Sequence, residues 1–428
     1  LLLNNTFQIG IIGAGAAGMM AAAEAARLGA RVLLLEKNSK AGVKILMSGG
    51  TRCNITHNTN AKGIAKAFGA GGRFLQPSLG AFPPAKVVEM FHQLGVPTKV
   101  EETGKVFPIS DRALHVRDAL LHQAADSGAR IITQQSVEGI ERLDSQRWGI
   151  KTQDDHYSVD RVIVTAGGQS WPGCGTTGDA YAWLRGLGHQ IVDPRPALVP
   201  LTGGEKWMNS LSGLTLSDCE LSVVALVEER QKVICRRRSS LLLTHQGFSG
   251  PAAMDVSGML TAAKSFDRCR VLLDSIPGIA EPELIDHLTN RSREGGKQRI
   301  SNLLSQWLPR RFANSLSQQF DADCTVAELP KSTRIRLLDA LKRLPLSVTG
   351  TLGFPKAEVT AGGVRLDEVD PKTMESRVCQ GLYIAGEVLD VDGPIGGYNF
   401  QAAFCTGRAA GIAAATSVIS MLPEVPQR

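Results

Sequence analysis

Gln8-Ile9-Gly10-Ile11-Ile12-Gly13-Ala14-Gly15-Ala16-Ala17-Gly18, followed by an alanine-rich run and then Arg31-Val32-Leu33-Leu34-Leu35-Glu36, is the stretch that decides the fold. Apolar runs without polar alternation suit parallel strands buried on both faces. The stretch therefore reads as strand, glycine turn, helix from about Ala14 to Leu28, and second strand, a βαβ unit. Gly13, Gly15 and Gly18 stand where strand passes into helix. The first glycine of such a turn permits its tightness, the second lets backbone approach a pyrophosphate, and the third lets helix and strand pack closely. The helix N-terminus offers N–H donors to the anion. Glu36 closes the second strand, where a carboxylate can accept hydrogen bonds from a ribose diol. A doubly wound α/β domain that binds a dinucleotide is expected.

The next segment bears on which dinucleotide. Lys37 to Asn54 reads as a long loop containing Gly42-Val43-Lys44-Ile45-Leu46-Met47-Ser48-Gly49-Gly50-Thr51-Arg52-Cys53-Asn54, rich in small residues and hydrogen-bonding side chains. Placed directly after the ribose-binding acid, it can run along a bound FAD toward the ring; a plain NAD enzyme usually has a short loop and a helix here. Near the other end, Gly381-Leu382-Tyr383-Ile384-Ala385-Gly386-Glu387 is an apolar strand ending in Gly-acid. A loop through Gly393, Pro394, Gly396 and Gly397 then leads into a helix starting near Tyr398-Asn399. Glu387 can hold ribityl or phosphate-side hydroxyls, and the helix N-terminus can direct its dipole at the N1/C2 carbonyl side of a flavin, where negative charge gathers on reduction.

Between these ends, Ala129 to Thr165 is strand-rich and closes in Val162-Ile163-Val164. Pro194, Pro196 and Pro200 punctuate a boundary. Short alternating stretches then suggest a small β-barrel-like module at 197–278, and helical periodicity marks an insert at 279–345. Residues 1–196 and 346–428 would together form one discontinuous FAD-binding domain. A chain of 428 residues, 43% hydrophobic, can bury cores for that domain and both modules. The net charge of +6 is too mild to imply nucleic acid by itself, and Arg236-Arg237-Arg238 and Arg310-Arg311 read as solvated faces. Eight scattered cysteines without C-x-x-C spacing fit a reducing, cytoplasmic setting. No membrane span or signal peptide is evident, although the opening Leu1 leaves a removed leader open.

Together GAGAAG, GVKILMSGGTRCN, ETGKVFP, TAGGQSWPGCGTTGDAY, THQGFSGPA, EVTAGGV and GLYIAGEVLDVDGPIGGYNFQAAF resemble the BaiN/RdsA-type family of NAD(P)/FAD-dependent oxidoreductases, some members of which carry the label aminoacetone oxidase family. The resemblance spans nearly the whole chain. It implies a glutathione-reductase-like FAD domain built from both chain ends and interrupted by a β-barrel and a helical module. By that resemblance Gly13, Gly15, Ala16, Ala17, Gly18, Glu36, Lys37, Lys44, Ser48, Gly49, Gly50, Arg52, Cys53 and Asn54 would line a non-covalent FAD. Val137 would hold the adenine through its backbone, and Ala166-Gly167-Gly168 would pass beside the cofactor. Gly386, Glu387, Gly397, Tyr398 and Asn399 would complete the site.

Other readings are weighed beside these. Cys53 lacks the second cysteine that a redox-active disulfide needs, so a packed thiol is the better reading. His57 reads as a solvated or capping loop histidine rather than a flavin attachment point. Arg52, His245 and Tyr398 are the acid–base or electrophilic candidates, each balanced by a structural role. No metal cluster or Ser-His-Asp arrangement is visible in these spacings, so a flavin would supply the redox chemistry. Neither Gly69-Ala70-Gly71-Gly72 nor Thr360-Ala361-Gly362-Gly363 makes a second nucleotide turn, so NAD(P)H would be a transient donor. The expected function is hydride transfer through flavin N5 between NAD(P)H or an organic substrate and a small organic acceptor, with an activated C=C bond as a candidate. The alternative is a flavin-dependent RNA-modifying or RNA-binding protein.

Overall fold

The computed structural model of the chain describes residues 7–227, 230–263, 266–293 and 296–420; Leu1, on which the question of a leader rests, lies outside them. The chain separates into two compact units, one of residues up to Pro194 joined by those from Glu358 onward, the other Arg195–Ala357.

The first unit is built on a five-stranded parallel sheet. Its strands are β1 (Ile9–Ile12), β2 (Val32–Leu35), β3 (Arg130–Ile132), β4 (Arg161–Val164) and β5 (Leu382–Ile384), in the spatial order β5-β4-β1-β2-β3. Every residue of β1, β2, β4 and β5 is buried, as continuous apolar runs demand. Strand β5 is separated from β4 by more than two hundred residues of sequence, so the sheet is completed only when both chain ends meet. An antiparallel meander, Val137–Arg142, Trp148–Thr152 and His156–Val159, lies between β3 and β4 in the chain.

Helix α1 (Ala16–Arg27) has ten of its twelve residues buried. Against it packs α2 (Tyr398–Ile419). A Cβ on Gly407 would lie 2.2 Å from the Ala17 carbonyl oxygen, and one on Gly411 2.3 Å from that of Ala21. The two glycines let the backbones touch, and because both contacts advance together the helices run parallel. This packing accounts for the apolar character of α2. Among the described residues it is the one helix long and apolar enough to cross a membrane, and 56% of its most apolar window is buried inside the protein.

The segment expected as a long loop differs in part. Val43–Thr51 is helical in outline, with Ile45 buried, but Ser48, Gly49 and Gly50 leave helical geometry. The apolar spacing of the first turns supports a helix, and the paired glycines break it. Two further helices, Ala61–Ala67 and Gly72–Ala81, follow it in the chain.

In the second unit seven antiparallel strands form one sheet, in the order Leu344–Leu346, Cys269–Asp274, Thr215–Val227, Arg230–Thr244, Gly247–Ser249, Leu201–Gly203 and Val348–Thr351. The two edge strands are separated in the chain by Ser347 alone, so the sheet curls until its edges approach. The reading above divided strands from helices at residue 278 and ended the insert at 345. The unit instead extends to Ala357, and its strands and helices share a core that includes Leu241, Phe248, Leu273, Leu303, Phe312 and Leu341. The reason is physical: neither a one-sided sheet nor short amphipathic helices can bury their apolar faces alone.

Candidate functional site

The glycine turn shows a division of labour. A Cβ on Gly13 (φ +100°) would lie 2.7 Å from the Thr165 carbonyl oxygen, and one on Gly18 would lie 1.9 Å from that of Gly13. A Cβ on Gly15 would meet nothing within 4 Å. Gly13 and Gly18 are therefore required for packing, while Gly15 borders open space. Gly15 is also the N-cap of α1, and no side chain caps that end, so its N–H donors remain to be satisfied from outside the helix.

Glu36 is oriented beside this turn. Its Oε2 accepts from the Ala14 N–H (2.9 Å), and its Oε1 accepts from the backbone and side-chain nitrogens of Asn38 (2.9 and 2.8 Å). Three donors fix the carboxylate and leave about one lone-pair site, on Oε2, to spare. The Gln135 N–H donates to the Glu36 carbonyl and the Gln134 N–H to that of Asn38, bringing the approach to Val137 alongside the end of β2. On the other side, Thr165 Oγ1 donates toward the carbonyls of Ile12 and Gly13 (both 2.9 Å), fixing the strand end from which Ala166, Gly167 and Gly168 lead. Gly168 has no room for a side chain, since a Cβ there would lie 2.3 Å from Thr360 Oγ1.

Glu387 sits at the centre of a second network. Its Oε1 accepts from Ser170 Oγ (2.7 Å) and the Thr360 N–H (2.9 Å), and its Oε2 accepts from Lys44 Nζ (2.6 Å). Lys44 also donates to Ser170 Oγ at 2.5 Å. Burial pushes the carboxyl of nearby Glu358 above its ordinary range, Lys44 pulling it down and Glu387 adding to the rise.

From Ser48 to Asn54 the backbone is strained. Gly49, Gly50, Thr51 and Cys53 have φ of +56°, +67°, +69° and +61°, and for Thr51 and Cys53 that region is costly. The Asn54 carboxamide, in the orientation that satisfies its neighbours, accepts from the Gly397 N–H (3.0 Å) and donates to the Thr56 carbonyl (3.0 Å). Asn399 accepts from and donates to the Gly393 backbone (2.8 and 2.9 Å). These two amides shape the loop that enters α2. Gly397 is its N-cap at φ +88°, where a Cβ would lie 2.5 Å from the Thr56 backbone, and again no side chain caps the helix.

The two uncapped ends point the same way. Helix α2 begins nine residues before Gly407 and α1 one residue before Ala17, so the N-terminus of α2 lies eight residues, or about 12 Å, further along the shared direction.

The acid–base candidates separate. Arg52 is bound to Glu101 (2.7 Å), lies 3.5 Å from Asp111, and stacks 4.0 Å over the Phe107 ring. Tyr398 stacks on His57 with ring centroids 4.8 Å apart, and His57 Nδ1 lies 3.2 Å from the Gly396 carbonyl. His245 is exposed on the turn joining two strands of the second unit. Cys53 is fully buried and its thiol is pushed up to about 12, so it carries no thiolate at neutral pH. All eight cysteines are free, and no metal-binding cluster occurs among the described residues. Lys37 donates to Asp179 (2.6 Å) and Thr177 (2.7 Å). Sequence reasoning assigned no role to Asn38, Ser170, Thr177, Asp179 or Thr360. For Ser170, Thr177 and Asp179 the one signal was the concentration of short polar side chains in the TAGGQSWPGCGTTGD motif; Asn38 and Thr360 lie outside it.

A buried parallel sheet, a glycine turn open at its second glycine, a carboxylate at the end of β2 and a further strand supplied by the distal chain end define a Rossmann-type flavoprotein oxidoreductase. The chain belongs to the HI0933-like protein Rossmann domain family, whose model matches residues 7–413, a family of FAD-dependent oxidoreductases. It is 31% identical over 407 residues to a ribosomal RNA dihydrouridine synthase of Haemophilus influenzae, covering 93% of this chain and 96% of that one. It is also 31% identical over 417 residues to a 3-dehydro-bile acid delta(4,6)-reductase of Clostridium scindens, covering 95% and 99%. The crystal structure of a 3-ketosteroid delta1-dehydrogenase from Sterolibacterium denitrificans, in complex with 1,4-androstadiene-3,17-dione, shares the fold at a TM-score of 0.52 and 13% identity, covering 97% and 100%.

Proposed function

We propose that this chain is an FAD-dependent reductase of carbon–carbon double bonds conjugated to a carbonyl, with NAD(P)H as a transient electron donor. The observation that carries the cofactor assignment is the pair of parallel, uncapped helix N-termini offset by about 12 Å, with Glu36 beside the first and the Glu387 loop leading into the second. Gly15 faces open space at the first end, as backbone approaching a pyrophosphate requires.

In this reading Gly13, Gly15, Ala16, Ala17 and Gly18 hold the pyrophosphate, Glu36 the adenosine ribose, and Val137 the adenine. Ala166 to Gly168 flank the cofactor. Lys44, Ser48 to Gly50, Arg52 to Asn54, Gly386, Glu387 and Gly397 to Asn399 surround the ribityl chain and ring. Bound there, FAD would supply two-electron hydride chemistry. The uncapped end of α2 favours negative charge opposite it. Among the acid–base candidates Tyr398 has the best support, because it occupies the first turn of α2 and is held by His57. Arg52 is already committed to Glu101 and Phe107. We assign FAD to the unit formed by both chain ends and treat the interrupting strands and helices as a separate module.

The acceptor class draws support from what the relatives' names have in common. Dihydrouridine formation and Δ4,6 reduction of a 3-oxo compound both saturate a C=C bond conjugated to a carbonyl. Each needs a hydride at the carbon remote from the carbonyl and a proton at the carbon beside it. Anaerobic titration of the purified protein with NADH and NADPH, followed by flavin absorbance, tests the donor. Bleaching followed by reoxidation with an enone is the expected result; a bound flavin that stays oxidised would exclude the NAD(P)H arm.

A second reading, in which the reduced bond lies in a uracil of RNA, is favoured by charge placement. Residues 195–357 hold 22 Lys+Arg and 16 Asp+Glu, a net +6, against 47 and 41 for the whole chain. The other residues therefore sum to 25 − 25 = 0. Lys232, Arg236, Arg237 and Arg238 are exposed along one strand of the basic unit. RNA binding that weakens steeply with salt would support this reading.

A further inference from the structure

We infer that the loop from Ser170 to Asp179 is a strap lying along the dinucleotide groove, and that the Lys37–Asp179 ion pair is its latch. The inference rests on the FAD reading above. The near end of the strap is fastened at Glu387: Ser170 Oγ donates to Glu387 and accepts from Lys44, while the Gln169 and Ser170 N–H groups donate to Thr360 Oγ1 (2.7 and 3.0 Å). The far end is fastened just beyond Glu36. Lys37 Nζ donates to Asp179 (2.6 Å) and to Thr177 Oγ1 (2.7 Å), and Thr177 donates on to the other Asp179 oxygen (2.7 Å). Midway, Asn38 Nδ2 donates to the Cys174 carbonyl at 3.0 Å.

The loop is shaped for this path. Trp171, Gly175 and Gly178 all have positive φ, and a Cβ on Gly175 would lie 2.6 Å from the Asn38 amide nitrogen, so the backbone is pressed against the end of β2. Thr176 Oγ1 donates back to the carbonyls of Ser170 and Trp171, holding the near half closed on itself. The strap thus joins the residue group at the ribityl acid to the residues that follow the ribose acid.

The two fastenings differ in strength. Lys44 and Glu387 are roughly three-quarters buried and share Ser170, with the Thr360 N–H donating to Glu387 as well, whereas the Lys37 and Asp179 side chains are 28% and 42% exposed. An exposed ion pair is screened by salt. Opening therefore begins at the Lys37 end and frees the adenosine half first.

The test is FAD release from the intact holoprotein, followed as flavin fluorescence after dilution at several salt concentrations. Wild type is expected to release FAD faster as salt rises. D179N is expected to release it about two- to fivefold faster at low salt, the range one exposed ion pair supports, with most of the salt dependence gone. K37M, which removes the same latch from the other side, is expected to match D179N and covers the case in which one variant fails to fold. Release rates in folded D179N or K37M equal to wild type would overturn the strap alone. A wild-type chain that takes up no FAD would overturn the cofactor reading and the strap with it.

Discussion

Both units of this chain bury an apolar core, but they differ in where backbone meets backbone. In the unit made from both chain ends, the close approaches fall at the glycine turn, between the two long helices and at the entry to α2. Gly18 meets Gly13, Gly407 meets Ala17, Gly411 meets Ala21, and Gly397 meets the backbone of Thr56. At each of these sites a single methyl group would overlap a main-chain atom. In the unit from Arg195 to Ala357 they fall along the sheet, where Gly203 meets the backbone of Ser347 and Gly247 that of Leu201, beside a core that includes Phe248, Leu273, Phe312 and Leu341. The first arrangement leaves the N-termini of α1 and α2 uncapped and facing the same way, and the second builds a sheet-and-helix module with the net charge of the chain. Close backbone approach leaves no room for one added methyl, whereas a side-chain core loses stability when its atoms are removed.

The sharpest way to break this comparison is a pair of glycine variants. Gly18→Ala places a methyl 1.9 Å from a carbonyl oxygen, and a loss of stability of about 3 kcal/mol or more is expected in urea unfolding. Gly15→Ala meets no atom within 4 Å, so unfolding should change by less than about 1 kcal/mol while FAD affinity falls. If both variants lose stability equally, the division between packing and ligand glycines is wrong. In the second unit Phe312→Ala should cost about 3–5 kcal/mol, with the visible spectrum of bound FAD unchanged in the folded variant.

A smaller effect concerns Cys53. With its thiol pushed up to about 12 by burial, it stays protonated in the folded chain while an unfolded chain ionises it near pH 8.5. Its contribution to stability is therefore intact below that pH and is lost as pH rises toward 12. At pH 7 to 8 no thiolate-to-flavin charge-transfer band should appear, and alkylation should miss Cys53 under native conditions. A long-wavelength band abolished by Cys53→Ala would contradict this. The mildest change is Arg236→Gln with Arg237→Gln, both on an exposed strand: stability should move by no more than about 0.5 kcal/mol. Under the RNA reading the same pair should flatten the salt dependence of binding by about one unit of slope per residue. Unchanged binding would confine the basic unit to solubility.

Much of the first unit is legible in the sequence. The run from Ile9 to Glu36 specifies strand, turn, helix and strand through local rules alone, because an unalternating apolar run, a glycine at each turn position and an acid at the strand end each act over a few residues. The strand at Leu382–Ile384 and the helix from Tyr398 were legible for the same reason. The helical start of Val43–Thr51 was not, because its glycines read as loop while Ile45 finds a buried place only in the folded chain. The extension of the second unit to Ala357 was hidden likewise, since Val348–Thr351 is a strand by virtue of pairing with Leu201–Gly203, far away in sequence.

What the sequence determined by itself, then, was the class of fold, the glycine turn, the two acids Glu36 and Glu387, and the burial-prone strands that support them, all of which follow from short-range pattern. What tertiary structure alone decided was which groups those acids meet. Glu387 is joined to Lys44, Ser170 and Thr360, and Lys37 turns to Asp179, across 343, 217, 27 and 142 residues of chain. No local propensity encodes such pairings; they arise because folding brings distant polar side chains together, Lys44 and Glu387 mostly buried, Lys37 and Asp179 partly exposed, and a buried charge must find a partner.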